Sequence, residues 1–536
     1  MKNDSHLFSP TRRDLLKMIG VSAGGAAMYQ AMNSLAIAGE TTYDGPINLQ
    51  GAPRGASVLV LGAGMAGMTA AYELRKAGYK VQVLEYNPRA GGRNWSLRGG
   101  DTYTELGGFK QTCEFAKDLY INPGPWRIPY HHHGMIDYCR MLKVPLEPFV
   151  QVNYNAYLHN TEAFGGKPQR YREVKADYQG HVAELLAKAT NQNALDQQLT
   201  QEDREKLLES LRAWGALDKD FNYKAGPAVA ERRGFKKNPG GGLTARPEYS
   251  EPVSMKDILN SNLWFGVSSG DTYDMQTGLF QPVGGMGRVG EAFGRLLGDV
   301  IRYNAKVINV EQSDRGVEVT YVDTASPATP LKASADWCVC TIPLPILAQI
   351  PMNVGPQLKA AISAVPYLSS VKVGLQFKRR FWEEDERIYG GITYTNLPLM
   401  TIAYPNTSFN TGGPGVLLGG YIWGADAMHF TAMEPQQRVK KAIEYGAQIH
   451  PQYPAEFENG VAVAWHRSPF TMGCFGSWSD ESRAAHYDDL CTLDGRIVLA
   501  GEHASFLGGW QEGAVTSALD AIGRLHERAV AAGANA

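Results

Sequence analysis

The residues whose types and spacing first indicate chemistry are Gly62, Gly64 and Gly67, in the stretch VLVLGAGMAGM. Glycines at this spacing let a turn of backbone approach a pyrophosphate. The N-terminus of a following helix attracts the same anion through its free N–H groups and its dipole. Glu85, about twenty residues further on, is placed to accept a hydrogen bond from a ribose hydroxyl. Together these residues predict a dinucleotide-binding site.

The elements around these glycines are the ones that must position such a site. Residues 58–61 form a continuous apolar run, which is typical of a strand buried on both faces. A helical pattern follows over residues 68–76 and ends at Gly78, and a second apolar run, 81–84, leads into Glu85. This order predicts a βαβ unit. The alternative is a glycine-rich turn that binds no ligand.

A second glycine-rich segment bears on which dinucleotide is bound. RAGGRNWS, which directly follows the second strand, contains Gly91, Gly92 and Arg93. These residues can approach a second phosphate or a flavin ring, and a nicotinamide dehydrogenase has no need of them. Near the C-terminus, GRIVLAGEHASFLGGWQEGA has the pattern of a strand, a glycine-rich loop and the start of a helix.

These segments together closely resemble the flavin-containing amine oxidase family, from about Ser57 to the C-terminal helix. The resemblance implies FAD as the cofactor. In that family the glycine–glutamate pair that falls at Gly501 and Glu502 contacts the flavin, and the backbone at Gln511 and Glu512 faces its pyrimidine end. A helix N-terminus there suits the negative charge of a reduced flavin.

The resemblance and the glycine motifs predict a cofactor site assembled from separated parts of the chain. The predicted cofactor-binding residues are Gly62, Ala63, Gly64, Met65, Ala66, Gly67, Glu85, Tyr86, Gly91, Gly92, Arg93, Gly124, Pro125, Trp126, Arg127, Val307, Trp465, Gly501, Glu502, Trp510, Gln511 and Glu512.

The expected fold class is α/β, with an FAD-binding Rossmann-like domain, a mixed α+β substrate-binding domain and a helical insertion. The cofactor domain is expected to be discontinuous, because its motifs lie at both ends of the chain. The predicted ranges are 53–97, 276–365 and 490–533 for the cofactor domain, 98–172 and 366–489 for the substrate-binding domain, and 173–275 for the helical insertion.

The stretch GPWRIP places a single arginine, Arg127, among aromatic and proline residues. A guanidinium offers a planar fork that matches a carboxylate, and the pair is much stronger when it is shielded from water. The stretch resembles the segment of L-amino-acid oxidases whose arginine binds the substrate carboxylate, and Arg127 falls on that arginine. Residues 109–123 resemble an insertion, so Lys110 is an alternative anchor. A surface salt bridge is the alternative role for Arg127.

Tyr404 and Lys372 are the other predicted catalytic residues. The stretch FWEEDERIYGGITYTNLPLMTIAYPN resembles the segment whose tyrosine binds the same carboxylate, which implies Tyr404; a core tyrosine is the alternative. Lys372, in YLSSVKVGLQF, matches a family lysine that holds water near flavin N5. A cation there would stabilise the negative charge that develops on oxygen. An exposed strand lysine is the alternative.

Aromatic residues are expected to form the walls of the substrate site. Trp465 and Trp510 match family residues beside the flavin and the substrate, where an aromatic wall holds the substrate Cα against N5 and excludes water. Core tryptophans are the alternative. Gly509 and Trp423 are also predicted to bind substrate, and Trp126 to shape its pocket.

Cys474 and three consecutive histidines bear on covalent and metal chemistry. Cys474, in TMGCFGSW, has a context similar to that of the cysteine through which some monoamine oxidases attach flavin. L-amino-acid oxidases generally bind their flavin without a covalent link. Non-covalent FAD is therefore expected, and a covalent link at Cys474 is the alternative. Residues 131–133 do not predict a metal site, because adjacent side chains point in different directions and no carboxylate spacing accompanies them.

The N-terminus predicts export. TRRDLLK, residues 11–17, resembles a twin-arginine signal, and the apolar run that follows falls short of the ~20 residues of a spanning helix. We therefore expect residues 1–38 to be a signal peptide and the protein to be periplasmic or secreted without a stable membrane anchor. The alternative is a chance basic N-terminus. A formal net charge of −2 gives no indication of nucleic-acid binding.

These resemblances imply an FAD-dependent L-amino-acid oxidase. Such an enzyme transfers hydride from Cα to flavin N5, uses O2, and yields a 2-oxo acid, ammonia and hydrogen peroxide. The alternatives are an amine oxidase for primary or secondary amines, an L-amino-acid 2-monooxygenase, a dehydrogenase that uses a periplasmic electron carrier, and a flavin-binding protein without enzymatic activity. The resemblance also suggests a homodimer. The preferred side chain does not follow from the sequence.

Overall fold

The computed structural model describes residues 40–195, 199–243 and 245–534. The predicted signal peptide, residues 1–38, lies outside the described residues, so the expectation of export stays a prediction.

The described residues contain strands from Ser57 to Leu499. They are β1 (Ser57–Leu61), β2 (Lys80–Leu84), β3 (Leu97–Arg98), β4 (Thr102–Thr104), β5 (Lys110–Thr112), β6 (Tyr120–Ile121), β7 (Ile128–Pro129), β8 (Leu146–Pro148), β9 (Tyr157–His159), β10 (Gln169–Arg170), β11 (Leu279–Pro282), β12 (Ile301–Arg302), β13 (Ala305–Ser313), β14 (Gly316–Asp323), β15 (Ser326–Ala335), β16 (Trp337–Cys340), β17 (Ser370–Phe377), β18 (Ile392–Thr395), β19 (Thr401–Ala403), β20 (Gly415–Trp423), β21 (Phe457–Ala464) and β22 (Ile497–Leu499).

Helices connect and cover these strands. They are α1 (Met65–Lys76), α2 (His133–Met141), α3 (Tyr171–Asn191), α4 (Gln201–Gly215), α5 (Pro227–Arg233), α6 (Met255–Ser261), α7 (Trp264–Ser268), α8 (Gly287–Leu297), α9 (Leu344–Leu347), α10 (Pro356–Ala364), α11 (Phe381–Glu384), α12 (Gly424–Ala432), α13 (Pro435–Gly446), α14 (Tyr453–Glu456), α15 (Asp480–Cys491) and α16 (Gln511–Ala534). Among the described helices, none combines the length and the apolar character that crossing a bilayer requires.

A five-stranded parallel sheet carries the glycine motif, with the strand order β12-β2-β1-β16-β22. Its strands lie within the three ranges predicted for the cofactor domain. Successive side chains of β1 face opposite layers, as strand geometry requires. Val58 and Val60 face helices α1, α8 and α16, whereas Leu59 and Leu61 face the β13–β14–β15 sheet and α10. The continuous apolar run is therefore explained by burial on both faces.

A seven-stranded sheet forms the second core, with the order β10-β9-β18-β19-β20-β17-β21. Its β17 is buried along its whole length. The short strand β19 also alternates: Ile402 and the following Tyr404 belong to one apolar cluster, and Ala403 belongs to the other. This alternation determines which side chains of the β19 segment face the functional site.

The first part of the predicted insertion, residues 109–123, lies along the outer edge of this sheet, and its last residues reach the interior strand β17. The Gln111 side chain donates to the Ala462 carbonyl at 2.7 Å and accepts from the Ala462 N–H at 3.0 Å, as a neighbouring strand would. The Ala116 N–H donates to Gln376 Oε1 at 2.7 Å. The segment thus satisfies backbone groups of the edge strand β21, which an open edge would leave unpaired.

Helices α3 to α7 form a helical region that packs against the seven-stranded sheet and contains a buried carboxylate. Asp177 is fully buried and accepts hydrogen bonds from the Tyr223 hydroxyl at 2.7 Å, Arg233 Nε at 2.8 Å and the Val253 N–H at 2.7 Å. A buried ion of this kind is stable only while all its partners remain.

We expect Asp177→Ala to lower the free energy of unfolding by about 3–5 kcal/mol, because it leaves the buried Arg233 guanidinium without its counter-charge. Urea denaturation followed by circular dichroism measures the loss. The control is Asp271→Ala, which removes an ion pair with Lys175 whose carboxylate side chain is 65% exposed; it should cost less than about 1 kcal/mol. Equal losses of unfolding free energy in the two variants would contradict the role of Asp177 as the buried counter-charge of Arg233.

Candidate active site

A cavity of about 610 Å³ opens at the carboxyl ends of the parallel strands. Its lining includes Gly62, Glu85, Thr341 and Gly501, which follow β1, β2, β16 and β22 respectively. Ligands of open α/β sheets bind at this edge, because the strand ends and helix N-termini converge there.

The glycine turn is built so that backbone reaches this cavity. Gly62 has φ +105°, and a Cβ there would come within 2.6 Å of the Thr341 hydroxyl oxygen. A Cβ on Gly67 would lie 2.0 Å from the Gly62 carbonyl oxygen. A Cβ on Gly64 meets nothing within 4 Å, so this glycine leaves open space. Two of the glycines are therefore needed for packing, and the third keeps the cavity clear.

Glu85 stabilises the same turn. Its Oε2 accepts from the Ala63 N–H at 2.6 Å, and its Oε1 accepts from the Asn87 N–H at 2.7 Å. The side chain also lines the cavity, where a ligand hydroxyl could reach it.

Most of the predicted cofactor residues meet at this cavity. The predicted residues that do not line it are Ala63, Gly67, Trp126, Arg127 and Glu512. Ala63 and Gly67 belong to the glycine turn itself, and Trp126 and Arg127 line a neighbouring cavity. The predicted substrate residue Gly509 also lies in the main cavity.

Sequence reasoning missed Asn94, Tyr421 and Phe470, which line the cavity as well. Asn94 donates from Nδ2 to Gln511 Oε1 at 2.6 Å, which joins the two ends of the chain. Its position next to Arg93 in RAGGRNWS was a usable signal. Tyr421 and Phe470 reach the cavity only through tertiary contacts, so no local pattern indicates them.

Arg93 and Glu502 form a partly buried ion pair at 2.7 Å on the cavity wall. Glu502 also accepts from the N–H groups of Gly476 at 3.2 Å and Gly509 at 3.1 Å. Arg93 donates to the Cys474 carbonyl at 2.8 Å. The pair therefore fixes the backbone of two loops that line the cavity.

Lys372 is 2% exposed, so the alternative of an exposed strand lysine is wrong. Its ammonium donates to the Gly124 carbonyl at 2.6 Å and lies 4.1 Å from the centroid of the Tyr421 ring. Burial, together with the positive charge of Arg127, lowers the pKa of Lys372 to about 7, although Cys474 acts in the opposite sense. Lys372 is therefore a buried amine that titrates near neutral pH.

Three consecutive carbonyls before Arg127 are held by side-chain donors. Lys372 contacts the carbonyl of Asn122 at 3.3 Å as well as that of Gly124, and Trp465 Nε1 donates to the Pro123 carbonyl at 2.8 Å. The predicted lysine and tryptophan thus fix the segment that carries the predicted arginine.

Arg127 is 6% exposed, so a surface salt bridge is excluded as its role. Its guanidinium carbon lies 5.2 Å from the Trp126 ring centroid and 5.6 Å from that of Trp510, and one NH2 nitrogen lies 2.7 Å from the Met275 sulfur. Nε has no hydrogen-bond partner, and no carboxylate among the described residues pairs with this guanidinium.

A second cavity, of about 30 Å³, lies against Arg127. Trp126 and Trp423 line it, and Tyr421 lines both cavities, so the two are adjacent. Lys110 is exposed on the β4–β5 hairpin and reaches neither cavity, which removes the alternative anchor.

Tyr404 is not brought to either cavity, and its predicted role needs correction. Its hydroxyl is within 2.8 Å of Thr393 Oγ1 and 2.7 Å of His450 Nε2, inside the core. Because side chains alternate along a strand, Thr401 and Ala403 face the second cavity's side, and Ile402 and Tyr404 face away. Tyr404 is therefore a core tyrosine whose hydroxyl is hydrogen-bonded, as the alternative interpretation held.

The Glu512 side chain points away from the main cavity, and the prediction that its backbone faces the flavin stays a prediction. Glu512 is fully buried and accepts from the N–H groups of Gly134 at 3.0 Å and Met135 at 2.7 Å, in the first turn of α2. A carboxylate at a helix N-terminus satisfies donors that have no partner within the helix. Glu512 therefore joins the N-terminus of α2 to that of its own helix, α16, while Gln511 faces the cavity.

The three histidines do not converge. His131 and His132 are buried, whereas the side chain of His133 is 47% exposed. His132 packs edge-on against Trp510, with ring centroids 5.0 Å apart, and burial lowers its pKa to about 3. Within the described residues, no three potential metal-ligating side chains lie together.

Comparison with known proteins places these features in one family. Residues 65–525 match the family model described as flavin containing amine oxidoreductase. The chain is 26% identical over 479 residues to a putative L-amino-acid oxidase, YobN, of Bacillus subtilis (strain 168), covering 86% of this chain and 93% of that protein. It is 29% identical to L-amino acid oxidase bordonein-L of Crotalus durissus terrificus, over 87% of this chain and 86% of the relative.

Solved structures resemble the whole fold. Wild-type putrescine oxidase bound to putrescine superposes with a TM-score of 0.55 at 17% identity, covering 90% of this chain and 99% of that one. Cyclohexylamine oxidase from Brevibacterium oxydans IH-35A gives a TM-score of 0.57 at 17% identity, over 88% and 99%. These likenesses establish a mixed α/β fold. With the family match over most of its length, the chain belongs to the flavin-containing amine oxidoreductase family.

Proposed function

We propose that this protein is an FAD-dependent L-amino-acid oxidase, which converts an L-amino acid and O2 to a 2-oxo acid, ammonia and hydrogen peroxide. The observation that carries the proposal is Arg127, a buried guanidinium without a carboxylate partner among the described residues, beside the main cavity. Burying an unpaired charge costs several kcal/mol. A substrate carboxylate would supply the missing partner, and a simple amine would not.

Membership of the family implies a flavin, and the main cavity fits FAD. Gly64 and Gly92 pack closely enough that a Cβ on Gly92 would lie 3.1 Å from the Gly64 Cα, while the cavity beside Gly64 stays open for a pyrophosphate. Glu85 would accept from a ribose hydroxyl, and the N-terminus of α16 at Gln511 would face the flavin ring. When bound, FAD accepts the hydride from Cα and passes the electrons to oxygen.

The residues of the chain bind, orient and shield the substrate. Arg127 would hold the carboxylate, and its aromatic neighbours Trp126 and Trp510 keep water from that pair, which strengthens it. Trp465 supports the Arg127 segment through the Pro123 carbonyl. Water hydrolyses the released imino acid to the 2-oxo acid and ammonia. Tyr404 takes no part in this scheme.

An amine oxidase is the second candidate, because the putrescine and cyclohexylamine oxidases share the fold. Purified holoprotein should be assayed in air with a matched pair, L-phenylalanine and phenylethylamine. We expect peroxide and 2-oxo acid from the amino acid alone. Peroxide from the amine alone would overturn the proposal, and an amide product would indicate a monooxygenase instead.

Arg127→Ala should raise the KM for L-amino acids roughly 10–100-fold, because it removes charge-assisted hydrogen bonds to the carboxylate. Steady-state peroxide assays measure the change. Lys110→Ala is the control and should leave KM unaltered, since Lys110 is exposed on its hairpin. An unchanged KM in Arg127→Ala would remove the arginine from the carboxylate role.

Lys372→Met should slow the reaction of the reduced holoprotein with oxygen about tenfold or more, because the ammonium, directly behind the cavity wall that Gly124 and Tyr421 form, would stabilise developing negative charge. Stopped-flow mixing with oxygen measures this step alone. Since burial lowers the pKa of Lys372 to about 7, the ammonium is present below that pH and is lost above it. The wild-type rate should therefore fall toward the variant's rate as the pH rises through about 7. Parallel pH profiles in the two proteins would contradict this role.

We expect acid precipitation to release FAD into the supernatant. Cys474 lines the cavity, but burial raises the pKa of its thiol. The thiolate is the nucleophile of cysteine chemistry, so this environment opposes a thioether link. Yellow colour that stays with the pellet, and that Cys474→Ala abolishes, would show covalent attachment.

A further inference from the structure

The second cavity contains more buried polar atoms than a carboxylate site requires. Besides Arg127, its lining includes Gln151 and Thr401. Three buried atoms there, Arg127 Nε, Gln151 Oε1 and Thr401 Oγ1, have no hydrogen-bond partner among the described residues. A buried polar atom without a partner bears the full cost of its lost hydration. Three such atoms around one cavity indicate that a ligand supplies their partners.

The Gln151 amide is hydrogen-bonded at one end, and the oxygen at its other end is buried without a partner among the described residues. Its Nε2 donates to the Tyr394 hydroxyl at 3.3 Å, and the residue is 6% exposed. Thr401 is the first residue of β19, on the face opposite Ile402. The alternation that turns Tyr404 into the core thus places the Thr401 side chain on the cavity's side.

The rest of the lining is neutral and largely apolar. Trp126, Phe265 and Ile392 form part of the walls, and the lining contains no acidic residue and no cation except Arg127. With Arg127 paired to the α-carboxylate, a charged side chain would be buried without a counter-ion, which costs more than burying a neutral polar group. At about 30 Å³ the cavity is also small.

We propose that this cavity binds the side chain of the amino acid and selects short, neutral side chains that end in a hydroxyl or a carboxamide. Such groups both donate and accept, so they can satisfy Gln151 and Thr401 together, whichever way the Gln151 amide is turned. An apolar side chain of the same shape leaves both atoms unpaired. The inference rests on the proposed function, because it requires that Arg127 hold the α-carboxylate.

The test uses pairs of substrates with nearly equal shape, L-asparagine against L-leucine and L-threonine against L-valine. We expect kcat/KM of the wild-type holoenzyme to be about tenfold or more higher for the polar member of each pair, since a site built for hydrogen bonds discriminates strongly against analogues that lack them. Peroxide release gives both constants.

The double variant Gln151→Met, Thr401→Val keeps the shape of the wall and removes its polar atoms. We expect it to bring both substrate ratios close to one or to invert them. The matched control, Gln201→Met with Thr411→Val, makes the same exchanges at exposed positions and should keep the wild-type ratios. FAD content, measured by absorbance, shows that each variant is folded.

Three outcomes would overturn the inference. Equal kcat/KM within each pair in the wild type would mean that Gln151 and Thr401 do not select the substrate's side chain. A uniform loss for all amino acids in the double variant would make the cavity a passage or a structural element. In both cases the proposed function stands. Oxidation of amines but of no amino acid would overturn the proposed function and this inference together.

Discussion

A buried guanidinium must have a partner, and the surroundings of Arg127 are organised around that constraint. Lys372 and Trp465 fix the three carbonyls that precede it, and aromatic rings and a thioether sulfur surround its charge without neutralising it. Cation–π contacts stabilise such a charge by only about 0.5–2 kcal/mol, much less than an ion pair in the same surroundings. The protein therefore anchors the segment that carries the arginine, while the arginine's Nε keeps no partner of its own among the described residues.

The two sheets divide the chemistry between them. The parallel sheet provides the cavity that fits a dinucleotide, because its strand ends and glycine turn converge at one edge. The seven-stranded sheet provides Lys372 from β17 and Thr401 from β19. The hydrogen bond between Asn94 and Gln511 joins the segment after β2 to the start of α16, and Glu512 joins α16 to α2. A substrate between Arg127 and the main cavity would thus contact groups fixed by both cores.

Sequence reasoning succeeded where a short pattern is sufficient. The glycine turn and Glu85 are local patterns, and the structure contains both. It failed at Tyr404, because a resemblance gives a segment while strand register decides which face a residue occupies, and a shift of one position reverses the outcome. Gln151 gave no signal, since only the folded chain brings it to the same cavity as Thr401.

The strand order of the parallel sheet also governs how the protein is made. Val58 of β1 pairs with Trp337 of β16, β16 pairs in turn with β22, and α16 covers the same core. Contacts so distant in sequence form slowly, and the ribosome makes β22 and α16 long after β1. The nascent chain thus carries an unfinished apolar sheet until α16 emerges. Loss of α16 would therefore expose the apolar face of the parallel sheet and impair the folding of the whole cofactor-side core.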